Sequence, residues 1–282
     1  MRLPLRGPAL VAALTALVLA PLSAPVQAQE SRGASDRDDR RAECPDGSDN
    51  DDLERHCEVR ETRLRSSGGR IAVDGRENGG VRVRGWDGDS VLVRAIVQTR
   101  AESEQEAVTL AKGVRVETAG GTIRADGPAT RGRASWWVSY EIFVPRRTNL
   151  DVDTHNGPIS VRDVSGQMEL SAVNGPLTLT RVGGDVRGRT QNGPLTIELS
   201  GSKWEGAGLD AETSNGPVAI SIPENYSGHL VTGTTNGPMR VDFPVTLQGK
   251  IGRRLETDLG SGGAPIRAIT TNGPLVVKRS RA

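Results

Sequence analysis

In the second half of the chain, apolar and polar side chains alternate at every second position, in short runs set around one recurring tripeptide. The tripeptide is Asn-Gly-Pro, and its copies begin at Asn156, Asn174, Asn192, Asn215, Asn236 and Asn272. Three residues after each Asn stands Ile159, Leu177, Leu195, Val218, Met239 or Leu275, and two further on Val161, Leu179, Ile197, Ile220, Val241 or Val277. Between them lie Ser160, Thr178, Thr196, Ala219, Arg240 and Val276. Such alternation buries one face of a strand and leaves the other in water. Six residues before the Asn the chain is apolar again (Leu150, Met168, Val186, Leu209, Leu230, Ile266), and two before it stands Thr or Ala, from Thr154 to Thr270. Each period therefore predicts strand, turn, strand, turn.

The copies are 18, 18, 23, 21 and 36 residues apart. One turn signature at a near-constant period is the mark of stacked repeat units. Asn tolerates the left-handed backbone, Gly has no side chain, and Pro fixes φ at the start of a strand. The pairs Asn156-Gly157, Asn174-Gly175, Asn192-Gly193, Asn215-Gly216, Asn236-Gly237 and Asn272-Gly273 are thus expected to form a structural turn ladder, with the Asn side chains stacked. Asn-Gly also suits a hairpin turn, and an antiparallel sandwich is the competing architecture. Hairpins leave the period unexplained. Rungs stacked at about 4.8 Å pair each backbone with the next and merge the inward stripes into one core. The expectation is an all-β parallel solenoid with about 18–23 residues per rung.

Residues 58–147 carry weaker marks and are expected to form an irregular first part of the same solenoid. Asn78-Gly79-Gly80 is a degenerate copy, with Val81 and Val83 after it and Ile71 and Val73 before. Ser103-Glu104-Gln105-Glu106 is a capping box, and Ala107, Leu110, Ala111 and Val114 trace one face. A short helix at about 103–112 is predicted, capping or flanking an open end of the stack. Ser135 to Val144, with Trp136, Trp137 and Tyr140, reads as a strand leading into the regular repeats of residues 148–282. In the 36-residue interval, Gly260-Ser-Gly-Gly263 is expected to turn the chain where one copy is missing.

Residues 1–28 read as a secretory signal peptide. Arg2 and Arg6 precede an apolar run from Ala9 to Ala20, and Val26-Gln27-Ala28 is a small-residue cleavage site. The run is too short for a membrane anchor, so no integral membrane segment is expected after cleavage. The chain is then exported: periplasmic, cell-surface or secreted. Residues 29–57 are polar and charge-mixed, a leader that is disordered or closed by a disulfide. Its Asp46 to Asp52 stretch lacks the Gly and Glu spacing of a calcium loop. Cys44 and Cys57 are the two cysteines, and in an exported chain they predict a disulfide. A zinc site with His56 would lack a fourth ligand. Taking two signal arginines from the 36 basic residues leaves 34 against 35 acidic ones, which gives no compositional case for a nucleic-acid partner.

The six Asn-Gly-Pro-apolar-x-apolar units from Asn156 to Val277, behind a signal peptide, resemble the bacterial exported β-repeat proteins called "putative adhesins", a family of largely unknown function. Trp204-Glu-Gly-Ala-Gly-Leu209 and the glycines before Ile266 support the resemblance. It implies a right-handed parallel β-solenoid. It supplies no catalytic motif, cofactor or metal to carry over.

Gly-x-Ser-x-Gly, His-Glu-x-x-His and phosphate-loop motifs do not occur. The outward positions of the leading strands carry Asp151 and Asp153, then Glu169 and Ser171, then Arg187 and Arg189, then Asp210 and Glu212. Asp151, Asp153 and Glu169 would form a carboxylate triangle with Arg187 one rung beyond, a candidate binding face. β-Helical polysaccharide lyases use acidic calcium ligands and a basic proton acceptor on such a face. The plainer alternative is a charge ladder between neighbouring rungs. Trp204 is either a sugar-stacking platform or a lid on the core. The favoured function is a non-catalytic scaffold or adhesin-like module of the cell envelope, facing an unidentified glycan or protein. The alternative is a polysaccharide-active, lyase-like enzyme.

Overall fold

The computed structural model describes Cys44 and residues 52–65, 68–242 and 252–280. The expected signal peptide and nearly all of the expected leader lie outside them. The described residues are mostly β, with one α-helix, α1 (Glu104–Gly113).

Each Asn-Gly-Pro turn joins a leading strand to a following one. Around Asn156 these are β8 (Leu150–Thr154) and β9 (Ile159–Arg162). The next repeats give β10 (Ser165–Asn174) with β11 (Leu177–Thr180), and β12 (Gly183–Asn192) with β13 (Leu195–Glu198). Then come β14 (Gly208–Asn215) with β15 (Val218–Ile222), and β16 (Gly228–Asn236) with β17 (Met239–Asp242). The last repeat gives β19 (Pro265–Asn272) and β20 (Leu275–Arg279), after the extra strand β18 (Arg254–Leu259). Upstream lie β1 (Glu54–Arg65), β2 (Ile71–Asp74), β3 (Val81–Trp86), β4 (Ser90–Ala101), β5 (Arg115–Glu117), β6 (Thr122–Asp126) and β7 (Ser135–Pro145).

Leading strands gather in one 10-stranded sheet, in the order β18-β16-β19-β14-β12-β10-β8-β2-β6-β5. Following strands gather in a second, β1-β4-β7-β3-β9-β11-β13-β15-β20-β17. Neighbouring repeats pair in parallel, Asn over Asn and Leu177 over Leu195. The sheets are mixed because β1, β4, β5 and β18 pair antiparallel near their ends. The degenerate copy at Asn78 joins the stack, with β2 and β3 beside β8 and β9.

The inward residues of both sheets form one aliphatic core. Leu177, Leu195, Ile197, Val218, Ile220 and Leu275 are fully or almost fully buried, while Thr196 between them is exposed. This is the alternation expected from the chain, and each buried aliphatic side chain contributes roughly 1.5–3 kcal/mol.

The order of the end repeats departs from expectation. Among its described residues the 36-residue interval holds β18, antiparallel to β16, rather than a further parallel repeat. The last repeat, β19 and β20, lies between β14–β15 and β16–β17. The other end mirrors this: β2 and β3 lie between β8–β9 and the later strands β6 and β7. The first and last repeats of the stack are thus each tucked one place in, with partners on both sides.

The turns also differ in cause from the expectation. None of the six Asn-Gly-Pro glycines has a positive φ. A Cβ on Gly157, Gly175, Gly193, Gly216, Gly237 or Gly273 would instead sit 2.0–2.2 Å from a glycine carbonyl oxygen of the neighbouring turn. Close stacking of backbone on backbone excludes every side chain there. The proline has no N–H to give, but its carbonyl still accepts from the neighbouring repeat, as Pro194 O does from Leu177 N at 2.9 Å.

The threonine two residues before each Asn turns its hydroxyl to the same corner. Thr190, Thr213, Thr270 and Thr234 donate at 2.8 Å to Gly175, Gly193, Gly216 and Gly273 of the neighbouring turn. Where Ala172 breaks the series, Thr154 donates to Gly157 within its own turn at 2.9 Å.

At the N-terminal side, Ser103 Oγ accepts from Glu106 N at 3.3 Å and starts α1 as the capping box predicts. Ala107 and Ala111 bury its inner face. Arg60 of β1 donates to Ala111 O at 2.8 Å and to Val114 O, meeting the helix's last carbonyls with a cation. β1 begins at Glu54, so His56 and Cys57 belong to a strand rather than to the leader. Cys57 is bonded to Cys44, with Cα atoms 5.8 Å apart.

Candidate functional site

Because the leading strands run in register, their outward side chains line up in rows across the sheet. One row runs Arg124, Asp74, Asp153, Ser171, Arg189, Glu212, Ile269. The next runs Ala72, Asp151, Glu169, Arg187, Asp210, Arg267. Asp151, Asp153 and Glu169 therefore are neighbours on adjacent strands. Asp74 joins them from β2. Nothing near the first repeat signals it, because β2 reaches β8 only through the exchanged order of repeats.

The positive half of this face is paired; the negative half is largely not. Arg267 contacts Asp210 and lies 3.4 Å from Glu212, which Arg189 also contacts. Arg187 reaches neither Glu169 nor Asp210 and instead stands 4.0 Å from Asp185 on its own strand. Arg70 lies 3.7 Å from Asp151. These exposed pairs contribute about 0–1 kcal/mol each. The expected ladder of alternating rungs thus holds from Arg189 to Arg267 and fails between Glu169 and Arg187.

The Asp153 carboxyl is held above its ordinary range. Partial burial is the largest cause, followed by the charge of Asp151; a hydrogen bond from Ser171 opposes them, and Asp74 and Glu169 add to the rise. Among the described residues, no three His, Cys, Asp or Glu side chains gather as a group that could hold a metal ion. The four acids stand on the outward side of three strands rather than around a common centre.

The turn side carries the polar ladder. Asn156 Nδ2 donates to Asn78 Oδ1 at 3.2 Å, Asn174 to Asn156 at 2.8 Å, and Asn192 to Asn174 at 2.8 Å. Asn215 donates to Asn192 at 2.9 Å, Asn272 to Asn215 at 2.8 Å, and Asn236 to Asn272 at 2.8 Å. The bonds all point one way, toward Asn78. On the second sheet the outward row reads Arg82, Ser160, Thr178, Thr196, Ala219, Val276, Arg240.

Trp204 is a lid. It is 5% exposed, belongs to the core and donates its indole N–H to Gly184 O at 2.9 Å. His155 and His229 stand on repeats separated by those of Asn174, Asn192, Asn215 and Asn272, so they share no centre. Trp86 and Phe143 form a further cluster on the second sheet's outward side, at 5.9 Å, under Arg63 and Arg94. Glu141, almost buried beside them, takes Arg94 at 3.3 Å, so this cluster satisfies itself.

Among the described residues no helix is long and apolar enough to cross a membrane. No protein-family model matches the chain, and no curated protein does. Solved structures do. The chain is similar to a protein from Clostridium sporogenes called a "putative cell adhesion protein", at 9% identity and a TM-score of 0.42, over 80% of this chain and 100% of that one. It is similar to a "putative adhesin" from Bacteroides fragilis, at 11% identity and a TM-score of 0.32, over 80% and 97%. Another "putative adhesin", from Parabacteroides distasonis, is similar at 8% identity and a TM-score of 0.37, over 78% and 97%. The structures this chain is similar to thus include several that carry the name of the family its Asn-Gly-Pro repeats resemble.

Proposed function

We propose that this chain is an exported, non-catalytic binding module of the bacterial cell envelope, adhesin-like in the manner of its structural neighbours. In this reading residues 1–28 are the export signal, and the leader that follows ends at β1, to which the Cys44–Cys57 disulfide ties it. The repeats form a right-handed parallel β-solenoid that presents long registered faces to a glycan or protein. One observation carries the reading: the outward rows keep register from Arg124 through Ile269 without interruption, as a surface for an extended partner requires. The sparse pairing of Asp74, Asp151, Asp153 and Glu169 leaves part of that surface open to a ligand's own cations or hydroxyls.

The test is co-sedimentation of the exported protein with purified envelope polysaccharide and with peptidoglycan sacculi. A parallel assay follows the unsaturated product of any lyase activity. Saturable retention without product supports the proposal. Product formation that Asp153→Asn abolishes would replace it with the enzyme reading.

A further inference from the structure

The chain contains seven Asn-Gly pairs, at Asn78 and at the six repeat turns. Each is a place where the main chain can attack its own side chain, because glycine leaves the following nitrogen unhindered. The attack needs two freedoms. The glycine N–H must be able to lose its proton, and the asparagine amide must be able to turn back onto that nitrogen. The stack withholds one or both at every turn but the outermost.

The glycine N–H groups are locked by the neighbouring turn. Gly175 donates to Asn192 O at 3.1 Å, and Gly193, Gly216 and Gly273 donate to the main-chain oxygens of Asn215, Asn272 and Asn236 at 3.0 Å. These bonds run toward Asn236, opposite to the side-chain ladder. Gly79 is locked locally, to Gly75 O at 2.9 Å. The Asn236 turn is the last of the stack, so no turn follows to receive the Gly237 N–H. Among the described residues no backbone carbonyl accepts from it.

The side-chain amides sort the same way. Asn156, Asn174, Asn192, Asn215 and Asn272 each donate to one asparagine and accept from another. Asn236 donates to Asn272 at 2.8 Å, but no asparagine donates to its Oδ1. The Gly157 N–H also lacks a backbone acceptor among the described residues, yet Gly157 is buried and Asn156 is held at both ends. Asn236 is exposed and Gly237 half-buried, so water reaches that pair.

We propose that Asn236 is a self-modification site, the asparagine of the ladder that loses its side-chain amide in the folded protein. Gly237 N gives its proton to hydroxide and bonds to Asn236 Cγ. The Cγ–Nδ2 bond breaks, and Nδ2 leaves as ammonia with a proton taken from water. The five-membered imide then adds one water. Breaking the bond from Gly237 N to Cγ gives aspartate. Breaking its bond to the main-chain carbonyl carbon gives isoaspartate, whose main chain is one methylene longer. Nothing is oxidised or reduced. Either product presents a carboxylate with no N–H for Asn272 Oδ1. The longer main chain has no room in this turn, where a Cβ on Gly237 would already lie 2.0 Å from Gly273 O. β17, paired only with β20, then loses its anchor at the corner. The inference goes beyond the binding-module reading and is independent of what the faces bind.

The test incubates the intact protein in mildly alkaline buffer at physiological temperature, beside the same protein unfolded in urea. Peptide mapping with isoaspartate detection follows each Asn-Gly pair, and each folded-state rate is divided by the rate of the same pair in urea. On that scale Asn236 should convert at least about tenfold faster than Asn174, Asn192, Asn215 or Asn272, roughly the effect of one hydrogen bond on a rate. Asn236→Gln lengthens the amide out of easy ring-forming reach and should abolish the early product. Conversion of an interior asparagine first would overturn the proposal. So would equal protection of Asn236 and Asn192, or an early product that persists in Asn236→Gln.

Discussion

Asn236 donates its side-chain amide to Asn272, 2.8 Å away and 36 residues further along the chain. Asn272 in turn donates to Asn215 at 2.8 Å. The last repeat in sequence therefore occupies an interior place. Outermost strands have unpaired N–H and C=O groups along one edge and are the first to fray. A repeat placed one position in has a ladder on each side. The outermost place in the second sheet falls to β17, a short strand with outward Arg240 and Asp242, features that blunt an exposed edge.

This order makes truncation informative. Ending the chain after Gly260 removes β19 and β20, on which β14, β15, β16 and β17 all depend for pairing. The expected result is loss of protease resistance well into the Asn215 and Asn236 repeats, with a large drop in melting temperature. A stack built in sequence order would lose only its final turn. If the truncated protein melts within a few degrees of the full chain, the exchanged order is wrong.

The corner threonines give a second prediction. Thr213 is 2% exposed and donates to Gly193 O at 2.8 Å. Thr213→Val keeps the shape and leaves that carbonyl without the hydroxyl, which should cost about 1–3 kcal/mol. Thr178 faces outward on β11, and Thr178→Val should stay within about 0.5 kcal/mol. Denaturant melts that rank the two the other way would remove the hydroxyl from the account of the turn.

These two cases also show what the sequence makes legible. Alternation around Asn156, Asn174 and Asn192 announces strands, their inward residues and the asparagine ladder, because those features depend on neighbours 18 residues away. The order of the end repeats is not legible. Every repeat presents the same turn and the same edges, so local pattern does not distinguish Asn272 from Asn236 as the partner of Asn215. The candidate face is legible only in part for the same reason. Asp151, Asp153 and Glu169 follow from period alone, whereas Asp74 enters through a pairing between distant segments. Thr at the corner reads as merely small until the neighbouring Gly carbonyl is in place.

The closing strand β18 should respond to pH through His229. Its imidazole faces Asp258 at 2.7 Å and Glu256 at 3.7 Å from β18, and Pro265 on the β19 side. The hydrogen bond to Asp258 raises its pKa above the ordinary 6.5; burial opposes it, and the charges of Asp258 and Glu256 add to the rise. A raised histidine contributes stability that is complete below 6.5 and is lost as pH rises through the folded-state value. Wild type should therefore lose melting temperature relative to His229→Gln as pH is raised from about 6.5. Parallel pH profiles for the two proteins would mean the pair is too solvated to matter.

Asp153 carries the opposite consequence, and it bears on whether the acidic face is a site. Partial burial and the charges of Asp151, Asp74 and Glu169 raise its pKa above 3.8. For a raised acid, stability is complete below the unfolded value and falls as pH rises through the folded one, so ionised Asp153 opposes folding at neutral pH. Asp153→Asn keeps the shape, retains an oxygen for Ser171 and removes the charge. Its melting temperature should exceed that of wild type at pH 7, with the gap closing as pH falls toward 3.8. Calcium separates two uses of the face. An ion held by three of these acids would neutralise them and raise the melting temperature by mass action. Because the acids are spread over three strands of an outward face, we expect only the ionic-strength response of screened charges. A saturable rise with millimolar-range calcium that Asp153→Asn abolishes would instead make this face a calcium site and reopen the enzyme reading.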